Sequence, residues 1–211
     1  MPGQPSDRTR MPVLHKAVTV GRNRMPHYST EWLLSLLDLR TQVDYLFFWG
    51  HANPKNDLTG KFLFSQWYPL SFDWEGRKYL TAEHWMMAGK ARLFGDLETL
   101  EQILAAPNPK DAKAFGRQVR GFDSEVWEAE CYEIVVQGNM HKFGQNQTSR
   151  TYLLETGNKI LVEASPVDAI WGIGHVQDSP EAQDPRKWRG QNLLGFALME
   201  ARDRLRSNTL P

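Results

Sequence analysis

The stretch 79–91, which reads Tyr-Leu-Thr-Ala-Glu-His-Trp-Met-Met-Ala-Gly-Lys-Ala, constrains the fold more than any other part of the chain. Thr81 is placed to cap a helix after the strand-like run 77–80, and Trp85, Met86, Gly89 and Leu93 recur at helical spacing. The pattern predicts a helix over about residues 82–94. On an adjacent face Glu83, Met87, Lys90 and Phe94 follow one another at i, i+4, i+7 and i+11. A carboxylate and an ammonium are thereby aligned two turns apart, about 10 Å along the axis. A helix this apolar is normally buried, and burying Glu83 or Lys90 unpartnered costs several kcal/mol, so both are expected to face a polar cleft. The competing reading is an amphipathic helix with a solvated Glu and Lys.

A chain of 211 residues can bury one substantial core and demands no second domain. Twenty-five Lys and Arg balance 25 Asp and Glu, so no global field draws the protein to nucleic acid or to an anionic membrane. Any anion must be held by local donors. One cysteine, Cys131, excludes an intramolecular disulfide, and no apolar run has the length of a transmembrane helix or a secretory signal, which makes a reducing cytoplasm the expected location. Eight Trp are many for this length. Most should lie in the core, with two or three lining a site that holds flat rings or sugars.

Residues 1–28, rich in Pro and Arg and without periodicity, read as a loose N-terminal arm, and 29–211 as a single domain. Ser29 or Thr30 opens a helix with Trp32, Leu33, Leu36, Leu37 and Leu39 on its apolar face; 45–49 reads as a buried strand; 67–80 reads as a hairpin turning near Asp73 to Gly76. Helices follow over 96–106, over 108–119 with Asn108 as cap and Pro109 in the first turn, over 123–144 and over 148–155. The run 159–164 is the last strand, and Asn192 caps a closing helix. The segment 168–191 is either a flexible surface loop or one wall of a site. The sum is a mainly α fold with a small β-sheet.

Three features could carry chemistry. Asp168, with Trp171, Gly172 and Gly174, follows the last strand, where a rigid support can aim a carboxylate into a cleft, although a plain turn role is the commoner explanation. Lys110, Lys113 and Arg117 form a basic stripe suited to a phosphate, unless they are only a solvated face. The six His show no metal-binding spacing, and no G-x-S-x-G elbow is present. No metal or cofactor is therefore expected.

An ordered series of short motifs over residues 64–205 resembles the YbiA-like N-glycosidase family, also called NADAR. The pieces are Phe64 and Ser65, then Thr81 to Trp85 with Lys90, then Ala112, Lys113, Gly116 and Arg117, then Trp127. They continue through Lys142, Phe143, Gln145 and Asn146, then Leu153, Leu154, Thr156 and Gly157, then Leu161 to Ala164. Last come Asp168, Trp171, Gly172 and Gly174, followed by Gly190, Asn192, Leu194, Gly195, Leu198, Met199 and Arg202. Residues 1–44 have no counterpart in the short family members, and Trp85 stands where the family often has Tyr.

The resemblance implies a multihelical α+β domain that cleaves an N-glycosidic bond without a metal. It implies substrates such as ribosylamino-pyrimidine phosphates of riboflavin metabolism or ADP-ribosyl groups. It matches Glu83 to a catalytic glutamate, kept ionised by the helix dipole and Lys90, with Asp168 orienting ribose hydroxyls or water. Trp127 and Trp171 would flank the base or ribose, with Trp85 available for stacking and Gly172 and Asn192 beside them, while Lys113 and Arg117 would hold a 5′-phosphate or diphosphate. Trp127 reads equally as core, and Asn192 is first of all a helix cap. Three function classes remain open: a small-molecule N-glycosidase, a hydrolase removing ADP-ribose from a macromolecule such as nucleic acid, and a non-catalytic nucleotide-binding module. Intact Glu83 and Asp168 argue against the last.

Overall fold

The computed structural model describes residues 27–207; most of the expected N-terminal arm lies outside them. Polar caps start five of the helices. Ser29, Thr81, Asp96, Asn108 and Asp123 each accept a backbone N–H from the first turn of α1 (Thr30–Asp38), α2 (Ala82–Leu93), α3 (Leu97–Ala105), α4 (Pro109–Gly116) and α5 (Ser124–Gly144) respectively. After α6 (Gln147–Glu155), Gly157 takes φ +62° and turns the chain. The closing helix is α7 (Leu193–Arg206).

The strands form two small pairs. β1 (Tyr45–Phe48) runs parallel to β4 (Ile160–Glu163) with Tyr45 opposite Ile160 and Phe48 opposite Glu163. β2 (Phe72–Trp74) and β3 (Arg77–Tyr79) make an antiparallel hairpin, and positive φ at both Glu75 (47°) and Gly76 (71°) gives its two-residue turn the hand that such hairpins favour. This is the mainly α fold with a small sheet that the sequence pattern predicts. No helix of the described residues is long and apolar enough to cross a membrane.

Helix α2 is the hub, packed against α3, α4 and α5, while α7 lies across α5 and β4. Glycine permits the closest approach. A Cβ on Gly138 of α5 would stand 2.4 Å from the Trp85 ring, so α5 rides directly over that indole. Trp85 donates its Nε1–H to the Ile134 carbonyl at 2.8 Å and packs among Phe72, Trp74, Tyr79 and His141. Each such ring removed from water contributes on the order of 2 kcal/mol.

Several expectations need correction. The run 45–49 is not a buried strand: only Phe48 is fully buried and Trp49 is 58% exposed, because the two-stranded sheet covers little of β1. On α1 only Leu33 is buried, and Leu39 lies out in solvent. Helix α4 stops at Gly116 instead of reaching residue 119. Asn192 occupies the N-cap position of α7 without capping it, since its side chain is drawn to β4. The segment 168–191 is pinned in place, with Ile173 N donating to Glu163 O at 2.9 Å and Asn192 N to Gly172 O at 3.1 Å. It forms a wall beside the end of β4.

Candidate active site

Helix α2 begins at the capping Thr81, and this start fixes Glu83. His84 sits beneath it with Nε2 against the Ala106 carbonyl at 3.0 Å and Nδ1 against the Thr81 hydroxyl at 2.8 Å. A carbonyl can only accept, so the network assigns the neutral Nε2–H tautomer, in keeping with burial that lowers the His84 pKa. Glu83 is 4% exposed, and its backbone N–H donates to Gln66 O at 2.9 Å. Its carboxyl accepts a hydrogen bond from the Trp67 side chain and lies in the fields of Lys113, Asp168 and Arg117.

Lys90 is not the partner of that carboxylate. Its Nζ lies 3.9 Å from the centroid of Phe122 and 5.7 Å from that of Trp127, further along α2, and burial lowers its pKa. The cations beside Glu83 are Lys113 of α4 and Arg117, the residue closing α4. The ionised form expected of Glu83 has Lys113, Trp67 and Arg117 on its side and burial against it. Burial, together with Asp168, raises the Glu83 pKa by more than Lys113, Trp67 and Arg117 lower it.

A second glutamate joins the first. Glu163 ends β4, opposite Phe48, and its Oε2 is closed to solvent with no hydrogen-bond partner among the described residues. Burial, then Asp168 and Glu83, push its acid up to about 8, with Lys113 opposing. Its backbone is clamped. The N–H donates to Asn192 Oδ1 at 2.9 Å, and the Asn192 amide in turn donates to Leu161 O at 2.9 Å. Asp168 is fixed as a turn, its Oδ1 accepting from Ile170 N at 2.9 Å and Trp171 N at 2.8 Å. Gly172 lets this turn lie against β4, because a Cβ there would stand 2.9 Å from the Glu163 carbonyl oxygen.

The loop carrying Trp67 closes another side. Lys142, wholly buried on α5, donates to Ser65 O at 2.8 Å, and Gln66 donates to Asn139 Oδ1 at 3.3 Å. Lys113 Nζ lies 5.8 Å from the Trp67 ring.

Of the residues singled out from sequence, Glu83, Asp168, Lys113 and Arg117 come together. Trp85 does not, being held in the aromatic cluster near the hairpin. Asn192 and Gly172 act on the backbone that holds Glu163 and Asp168, and the buried Asn192 side chain uses both amide atoms for that purpose. Trp171 is half-buried and hands its N–H to Asp168 and its carbonyl to Leu194 N. Trp127 stands with Lys90. Sequence reasoning missed Glu163 and Trp67. The signal for Glu163 was an ionisable residue ending the apolar run Ile-Leu-Val, a position where burial perturbs a carboxyl.

Comparison with known proteins converges on one family. Residues 47–206 match the NADAR domain model. The chain is 43% identical over 164 residues to an N-glycosidase of Acanthamoeba polyphaga mimivirus, covering 75% of this chain and 95% of that one. It is 31% identical over 142 residues to the N-glycosidase YbiA of Escherichia coli strain K12, covering 67% of this chain and 78% of the relative. The NMR structure of E. coli YbiA superimposes with a TM-score of 0.63 at 26% identity, covering 80% of this chain and 88% of that one. The chain belongs to the NADAR domain family.

Proposed function

We propose that this enzyme is an N-glycosidase that hydrolyses the bond between C1 of a ribose 5-phosphate and an amine or base nitrogen, as in a ribosylamino-pyrimidine phosphate. The observation that carries the reading is the gathering of Glu83, Glu163 and Asp168 around Lys113, with Arg117 beside Glu83. Departure of the base leaves positive charge on C1 and the ring oxygen. Glu83, in its carboxylate form supported by Trp67, Lys113 and Arg117, stabilises that charge. Asp168, anchored through Oδ1, orients the water or a ribose hydroxyl with its other oxygen. Lys113 and Arg117 also offer donors to the 5′-phosphate, which a molecule without net charge must hold locally.

A second reading, removal of ADP-ribose from a macromolecule, draws on Lys90, Phe122 and Trp127. This cation and two rings lie further along α2, where a diphosphate and a second nucleoside of a longer substrate would reach. Incubating the protein with ribosylamino-pyrimidine phosphates and with ADP-ribosylated nucleosides, and measuring released ribose products, separates the two. Release of ribose 5-phosphate from the first supports the small-molecule reading; turnover of the second alone replaces it with the other; turnover of neither rejects both.

A further inference from the structure

We propose that Glu163 is the general acid of this reaction, the group that gives its proton to the departing nitrogen. The assignment rests on the N-glycosidase reading above and gives its site a division of labour. Two glutamates meet there in different surroundings. Burial, with Asp168, raises the Glu83 pKa, but Glu83 also takes a hydrogen bond from Trp67 and feels two cations, which favour its charge. Glu163 faces Asp168, Glu83 and one cation, Lys113, and its Oε2 meets no donor among the described residues. A sealed carboxylate oxygen without a donor is costly, whereas in the neutral acid Oε2 is an uncharged carbonyl oxygen and the other oxygen of this half-buried side chain carries a proton that needs an acceptor. The lone pair of a leaving nitrogen is such an acceptor. Burial and the neighbouring carboxyls, which push the acid up to about 8, keep that proton in place at neutral pH.

The mounting suits a proton donor. Glu163 ends a paired strand, and Asn192 holds its N–H and Ile173 its carbonyl, so the side chain is delivered from a fixed backbone. Asn192 adopts φ +56° to reach β4 and gives up its capping bond to do so. In the step, the C1–N bond breaks with its electron pair passing to nitrogen, and nitrogen takes the proton from Glu163. Water oxygen bonds to C1 and loses a proton to Asp168. Return of that proton to Glu163 through solvent closes the cycle, with one water consumed.

The test compares Glu163→Gln with the unaltered enzyme on two ribose 5-phosphate N-glycosides. A ribosylamino-pyrimidine phosphate needs a proton on its leaving nitrogen; nicotinamide ribose 5-phosphate needs none, because nicotinamide leaves as a neutral pyridine. The assignment predicts a roughly hundredfold fall in kcat on the first, less than about threefold on the second, and loss of the decline in kcat above about pH 8. Equal loss on both substrates, or no loss on either, overturns it, as does a high-pH limb that survives in Glu163→Gln. Where only the first substrate is turned over, the pH limb decides. Glu163→Asp, which keeps the acid but withdraws it, serves if the amide variant does not fold. It should lose roughly tenfold on the first substrate, keep the limb and match the unaltered enzyme on the second. An unaltered enzyme that cleaves neither removes the parent reading, and the acid with it. Activity on both that ignores Glu163 removes the acid alone.

Discussion

Asp96, buried, and Glu163, half-buried with one oxygen sealed from solvent, are both acids at the ends of secondary structure, and their surroundings push them in opposite directions. Asp96 caps α3 and is saturated with donors: Thr99 N at 3.2 Å, Thr99 Oγ1 at 2.7 Å, Arg120 N at 2.9 Å, and the Arg120 guanidinium at 3.1 and 2.5 Å. Arg120 holds its carboxyl well below the usual carboxylate range. Glu163 has an oxygen with no partner, two acidic neighbours and one opposing cation. A structural carboxylate is one the fold satisfies, and the acid left wanting sits where the other charged groups of the site converge.

The largest expected effect lies on the Glu83 side of that site. Glu83→Gln keeps shape and loses charge, so kcat should fall more than about a hundredfold, roughly 3 kcal/mol, while substrate still binds. Near-normal turnover in the folded variant would detach the carboxyl cluster from catalysis.

The next effect is on stability, and its sign separates the two acids. Glu163 binds its proton more tightly folded than unfolded, so its contribution is fully present below the unfolded pKa of 4.5 and is lost as pH rises toward about 8. Relative to the unaltered protein, Glu163→Gln should therefore gain stability across that window, by about 2 kcal/mol or more at pH 9. Asp96 behaves oppositely. Its contribution is present above the ordinary Asp value of 3.8 and is lost only as pH falls below it. Asp96→Asn should lower Tm by several degrees at pH 7 and leave kcat alone. Parallel pH slopes for the two variants in thermal melts would break the contrast.

Smaller still is the effect of Arg117→Ala. If Arg117 grips a phosphate that does not change during cleavage, KM rises by about tenfold with little change in kcat, and the rise vanishes for the dephosphorylated substrate. Equal loss on both substrates would reject phosphate recognition there. Smallest is the response to EDTA. Among the described residues no group of three His, Cys, Asp or Glu is placed to hold a metal ion, and activity should be unchanged. A loss restored by one divalent ion would reveal an overlooked site.

Helices were the legible part of the chain because their signals are local. Thr81, Asp96, Asn108 and Asp123 each announce a start within four residues, and Glu75 with Gly76 announces the hairpin. What depends on distant neighbours was not legible. Helical spacing put Lys90 on the face of Glu83, but the neighbouring helix α4 supplies Lys113 instead, and Lys90 rests on Phe122. Asn192 has the identity and position of a cap, yet β4, far back in the chain, claims its side chain. Glu163 reads as the polar end of a strand until Asp168 and Glu83 are set beside it, and its parallel partner β1 lies more than a hundred residues earlier.

Proton donation by Glu163 requires an acid that holds its proton at neutral pH. A carbon-13 NMR titration of the protein labelled at glutamate carboxyls measures this directly. One glutamate should titrate near pH 8, and its signal should be absent from Glu163→Gln. If the carboxyl signal that Glu163→Gln removes titrates in the ordinary range near 4 to 5, Glu163 is no proton donor at neutral pH and the division of labour within the site is wrong.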